Sequence, residues 1–111
     1  MQITFRTGKL QKACSQSKEA VKQYGPQSGA KLEQRMMELA AASCLDEVSR
    51  LSPARCHELK GARKGQLSVD LQHPYRLLFI PADDPPALKG DGGIDWHAVK
   101  EIEIIDIEDT H

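Results

Sequence analysis

The chain has 111 residues, enough for one modest hydrophobic core and too few for two, so a single domain over residues 1–111 is expected. A content of 40% hydrophobic and 28% charged residues is ordinary for a soluble globular chain, and the longest weakly apolar stretch, Leu39 to Leu45, is far too short to cross a membrane. The net charge of -1 conceals an asymmetry: residues 1–82 carry 13 Lys and Arg against 7 Asp and Glu, whereas residues 83–111 carry 2 against 9. A basic body of this kind either meets an anionic partner such as nucleic acid or is neutralised internally by the acidic end.

Taken in order, Gln2 to Arg6 alternates Ile3 and Phe5 with polar neighbours and reads as a short strand. Thr7 can cap a helix beginning at Gly8, with Leu10, Cys14 and Val21 towards one side and a break expected near Ser15 and Ser17. Tyr24-Gly25-Pro26 ends that region, since Gly is favoured just past a helix and Pro in the first turn of the next. From Gln27 to Ala42 the recurrence of Leu32, Met36, Leu39 and Ala40 predicts the clearest helix, with Lys31, Glu33, Gln34, Arg35 and Glu38 on much of the remaining surface. A short helix from Leu45 to Leu51 is stopped by Ser52-Pro53.

From Cys56 onward the period changes to two. Strands are expected over Cys56–Lys60, Gln66–Gln72 and Tyr75–Ile80, with Leu67, Val69 and Leu71 on one face of the second. Their connections are short enough for hairpins, so antiparallel pairing is the default. Residues 81 to 93 are rich in Pro, Gly and Asp and have little reason to order themselves. Asp95 can cap one turn through Trp96 and Val99. Lys100 to Glu108 is the last strand, and its alternation slips between Ile104 and Ile105, which predicts a bulge or burial of both faces. The expected class is α+β: a small, mostly antiparallel sheet of the N-terminal strand plus four C-terminal strands, with two to three helices on one face.

The three cysteines, Cys14, Cys44 and Cys56, are odd in number and show no CxxC or Cys/His ligand spacing. Reduced, mostly buried thiols are the natural reading, and no metal site is expected. The start, Met-Gln-Ile-Thr-Phe-Arg, lacks the pattern of a signal peptide, and a cytoplasmic location is expected.

The chemistry concentrates in residues 57–80. Lys60, Arg63 and Lys64 gather at the first hairpin turn, with Arg55 just before it, and together they suit sequence-independent phosphate contacts. Arg76 stands inside a strand between apolar neighbours, where a cation is costly unless it faces an anion. That anion is either a phosphate held by the planar guanidinium fork, or a carboxylate in an ion pair, Asp70 across the hairpin or Asp109. Tyr75 and Trp96 are the large amphipathic rings near this region, as core anchors or as stacking platforms for bases.

Several short motifs, in order and at matching spacing over nearly the whole chain, resemble the RelE/ParE superfamily of toxin-antitoxin toxins, most closely its HigB-like branch. They are Leu59-Lys60-Gly61 preceded by His57, the basic turn ending at Gly65, Leu67-Ser68-Val69, Tyr75-Arg76-Leu77-Leu78-Phe79 and the terminal Glu108-Asp109-x-His111. The resemblance implies a RelE-like fold and a metal-independent, cofactor-free endoribonuclease that cuts mRNA on the ribosome and is restrained by a cognate antitoxin. DNA would be met only indirectly, through that antitoxin. A related branch poisons DNA gyrase instead, and a non-catalytic member that only binds its antitoxin is a further alternative.

Cleavage of RNA without a metal needs a base for the 2′-OH proton, an acid for the leaving 5′-oxygen and a cation for the phosphorane. The resemblance assigns the first two to His57 and His111, in either order, the third to Arg76, and to Asp109 the orienting or charging of His111. Thr110 departs from the pattern: HigB-like chains typically carry tyrosine there, a possible stacking or proton-transfer group.

Overall fold

The computed structural model of the protein describes residues 1–110. The chain runs β1 (Gln2–Phe5), α1 (Gly8–Ser15), α2 (Ser17–Ala41), α3 (Leu45–Ser49), β2 (His57–Glu58), β3 (Leu67–Asp70), β4 (Tyr75–Pro81) and β5 (Glu101–Asp109), with 3₁₀ turns at Ser52–Ala54 and Gly61–Arg63. The class is α+β as expected, but the sheet is mixed rather than mostly antiparallel. Its order is β1-β5-β4-β3-β2, and β1 lies parallel to β5 while the other neighbours run antiparallel. The reason is topological. Helices carry the chain from β1 to the far edge, and the return meander leaves β5 running in the direction of β1.

Local signals set the helices. The Thr7 hydroxyl accepts a hydrogen bond from the Leu10 amide at 3.1 Å and caps α1, and extended backbone at Gln16 separates α1 from α2. Within α2, Gly25 takes φ +87°, a left-handed conformation that bends the helix back on itself with Pro26 opening the second arm. The two arms then touch. Ser17 donates to Glu33 at 3.0 Å, and a Cβ built on Gly29 would lie 3.1 Å from the Val21 backbone nitrogen, so any larger residue there would have to push the arms apart.

The buried positions of the second arm, Ser28, Leu32, Arg35 and Leu39, form one helical stripe. Two expectations fail on these arms: Val21 is exposed beside the contact with Gly29 rather than buried in the core, and Ala40 is exposed rather than turned to the core. A third concerns Arg35, which belongs to the buried stripe with 3% exposure instead of the solvent face. Its Nε donates to the Asp70 carbonyl at 2.8 Å, Nη2 to the Pro53 carbonyl at 2.9 Å and Nη1 to Glu38 at 3.1 Å. Buried charge is tolerated here because every side of the guanidinium has an acceptor.

One sheet face carries Leu67, Val69, Leu77, Phe79, Ile102, Ile104 and Ile107 against Leu10, Leu32, Leu39, Leu45 and Val48 from the helices. Phe79 pairs with Ile104 and Leu78 with Asp106, so Ile105 is an extra residue. The expected bulge is present, and it keeps Ile102, Ile104 and Ile107 on the core side. The strands are shorter than their apolar patterns suggest: β2 spans two residues because Lys60 already opens the 3₁₀ turn. Residues 81–93 are also better organised than their composition implies. Leu88 bridges Ile94, the Lys89 amide donates to the Gly93 carbonyl at 2.7 Å, and Asp83 accepts from the Lys100 amide at 3.0 Å. Among the described residues, no helix is long and apolar enough to cross a membrane.

Candidate functional site

The face of the sheet turned away from the helices carries polar rows. His57, Ser68, Leu78 and Asp106 follow one another across β2 to β5, and Asp70, Arg76 and Glu108 form the next row. At the end of this face opens a cleft of about 310 Å³, lined by Arg55, His57, Asp70, His73, Tyr75, Arg76 and Thr110 among others.

The segment between the Ser52–Ala54 turn and β2 positions the histidine. Arg55 sits at φ +49°, an uncommon conformation for a residue with a side chain. Its carbonyl lies 3.0 Å from Nδ1 of His57. A carbonyl only accepts, so Nδ1 carries the hydrogen of this bond, and Nε2 of the neutral ring is left with its lone pair free for a proton. The His57 side chain is exposed to the cleft, as a base must be to reach its substrate. The Arg55 guanidinium lies 3.5 Å from Asp70, but with both side chains well exposed this pair is weak.

The far end of the cleft is closed by a tether. The amide and hydroxyl of Thr110 both donate to the Pro74 carbonyl, at 2.8 and 2.7 Å, and bind the end of β5 to the β3–β4 turn. Threonine at this position therefore has a role of its own. His111 lies outside the described residues.

The partner of Arg76 is neither Asp70 nor Asp109. Its Nε and Nη2 both approach Oε2 of Glu108 at 2.6 Å, and Arg63 grips the same carboxylate with Nη2 to Oε1 at 2.5 Å and Nη1 to Oε2 at 3.0 Å. Glu108 is the direct cross-strand neighbour of Arg76, whereas Asp109 stands opposite Tyr75, one step along and on the alternate face. Two cations thus share one carboxylate. The hydrogen bonds from Arg63, opposed by partial burial and reinforced by Arg76, hold the Glu108 carboxyl down at about 2. The same hydrogen bond raises the Arg63 guanidinium further above its ordinary range.

The sign of the linkage follows. A carboxyl whose folded value lies below its ordinary 4.5 adds stability that is fully present above that pH and is lost as pH falls towards 2. A carboxyl-carbon NMR titration should accordingly show Glu108 protonating at about 2, well below an ordinary glutamate, and Arg63→Ala should move its midpoint upward. An unshifted Glu108 midpoint in the intact protein would count against the shared clamp.

Of the residues singled out in the sequence, Arg55, His57 and Arg76 come together in the cleft, and Arg63 joins them through Glu108. Lys60 and Lys64 do not. Both are exposed and line a separate shallow groove with Glu58 and Leu59. Asp109 is exposed at the end of β5. Tyr75 packs edge-on against Tyr24 with ring centroids 5.2 Å apart, and both Tyr75 and Trp96 lie half-buried against the core, which makes them anchors first.

The cysteines are free and half-buried. Burial pushes the Cys14 and Cys56 thiols up to about 12, so these two are protonated and poor nucleophiles. Among the described residues, no group of three or more His, Cys, Asp and Glu side chains converges in a way that could hold a metal ion. Glu108, His73 and the Thr110 tether were not foreseen. The alternation of β5 puts Glu108 on one face, but nothing local indicates which residue of β4 it meets. Compared with models of known families and with curated proteins, the chain finds no match.

Proposed function

We propose that the protein has a RelE-like fold and is a HigB-like toxin of a type II toxin-antitoxin pair, a metal-independent endoribonuclease that cuts mRNA on the ribosome in the cytoplasm and so inhibits translation. The observation that carries this reading is the convergence of Arg55, His57 and Arg76 on one cleft to which Thr110, the neighbour of His111, is tied. In this reading Nε2 of His57 takes the 2′-OH proton and the 2′-oxygen attacks the adjacent phosphorus. Arg76 and Arg55 stabilise the phosphorane charge, and His111 protonates the departing 5′-oxygen. The products are a 2′,3′-cyclic phosphate and a free 5′-hydroxyl. A cognate antitoxin would inhibit by covering this face.

A second reading, a non-catalytic member that only binds its antitoxin, is favoured by one observation: the forks of Arg76 and Arg63 are already filled by Glu108. Primer extension on transcripts after brief induction in a host lacking the antitoxin separates the readings. Discrete cuts within translated mRNA, with ends carrying cyclic phosphate and forming equally well when purified components are treated with a chelator, are the expected result. Uncut transcripts with normal growth would favour the non-catalytic reading, and DNA breaks would point to gyrase.

A further inference from the structure

Arg63 comes from the 3₁₀ turn after β2 and Arg76 from the middle of the sheet, and what joins them is one carboxylate. The group that suits this geometry is an anion with two oxygens at a fork's spacing, a description that fits a phosphodiester as well as a carboxylate. Two guanidinium groups share the single Glu108 carboxylate, with Asp106 acting on Arg63 and Asp70 opposite Arg76 as the flanking acids. The cluster is accessible: the Arg63 side chain is 42% exposed, while Arg76 and Glu108 remain at 23% and 22%. Arg63, on its turn, is the arm able to open; Arg76 and Glu108 are held by the β4–β5 pairing.

We propose that Arg63 and Arg76 form a phosphate seat on the open sheet face, occupied in the free protein by Glu108, which sets affinity for RNA by competing with the phosphodiester backbone. The identity of the anion rests on the proposed function; the competition itself does not. A backbone phosphate must displace or share the Glu108 contacts, so part of its binding free energy is spent on opening the clamp. Glu108 stays ionised at any pH at which the protein works, so the competition is always present. The effect would favour anions delivered in register by a docked, extended RNA over free phosphate, because a lone ion brings no further contacts to offset the opening.

The test measures binding of a short labelled single-stranded RNA to the full chain carrying His57→Gln, so that the RNA is not consumed. Adding Glu108→Gln should tighten binding roughly tenfold, the equivalent of about one charge-assisted hydrogen bond, and steepen its salt dependence by about one. Glu103→Gln is the control. It removes the same charge from the same sheet face, where Glu103 meets the exposed Arg6 at 3.4 Å, and affinity should stay within about twofold.

Glu108→Asp keeps the charge and withdraws the carboxylate by one methylene, so a gain of roughly threefold is expected from geometry alone. That variant also secures the result if the glutamine protein folds poorly. Arg63→Ala in the Glu108→Gln background should abolish the gain. Unchanged affinity in both Glu108 variants, or equal gains from Glu103→Gln and Glu108→Gln, would overturn the seat. Failure of the nuclease reading looks different: RNA binding would respond to Glu108 while protein with His57 intact cut nothing.

Discussion

Replacing His57 by Gln should lower single-turnover cleavage of ribosome-bound mRNA by roughly two to four orders of magnitude while leaving the fold intact. The side-chain amide of glutamine can still donate to the Arg55 carbonyl, so the local hydrogen bond survives and the proton acceptor at Nε2 is what is lost. His57 is exposed, and its replacement should shift stability by no more than about 0.5 kcal/mol. Stability and activity are therefore read separately: an unchanged melting curve with cleavage nearly abolished is the expected pair. Arg76→Lys should also cut activity strongly, because lysine keeps the charge and loses the fork. Undiminished cleavage by folded His57→Gln protein would remove the histidine from the chemistry and leave the cleft as a binding surface.

Arg35→Met should cost about 3 kcal/mol of stability, a fall of roughly 10–20 °C in melting temperature for a domain of this size. Methionine fills much of the same volume, so the loss measures polar contacts more than a cavity. The hydrogen bonds that disappear include two to main-chain carbonyls, of Asp70 at the end of β3 and of Pro53 in the turn leading to Arg55, and Glu38 is left without its buried partner. Those carbonyls belong to the two segments that bring Asp70 and His57 to the cleft, so site geometry should loosen along with the fold. Arg35→Lys should rescue only part of the stability, since an ammonium cannot reach three acceptors arranged around a plane. A melting temperature within about 3 °C of the parent for Arg35→Met would show that the buried network contributes little.

Features encoded by neighbouring residues were legible in the chain itself. Thr7 capping α1, the break at Gly25-Pro26 and the bulge after Ile104 each depend on a few adjacent side chains and their backbone preferences. The backbone register that sets Asp70 opposite Arg76 belongs to the same group, because a short turn leaves few registers open, although the ion pair expected between them does not form. From the candidate site, the cation inside β4 was visible because a charge in an apolar strand needs a reason, whereas the histidine ahead of the basic turn stood out only through the resemblance of its motif. Arg35 was misplaced because a helical pattern sees a polar residue and assigns it to water. What buries it is a pair of carbonyls distant in sequence, and no periodicity carries them.

Residue order therefore determined the elements, the β2–β3–β4 meander and the presence of a cation needing an anion at Arg76. Tertiary structure alone decided which anion it met. The long connection from Ala82 to Lys100 places no constraint on how β5 slides along β4, so Asp109 and an outside phosphate stood as candidates beside Asp70, and Glu108 was not singled out until the strands paired. A shift of one residue in a strand exchanges its two faces. The register that buries Ile102, Ile104 and Ile107 under the helices is the one that turns Glu108 towards Arg76 and Arg63 and places Asp109 opposite Tyr75. The same packing sets β1 parallel to β5, because core burial across the whole sheet, rather than any single connection, chooses the neighbour of a strand whose partner lies at the other end of the chain.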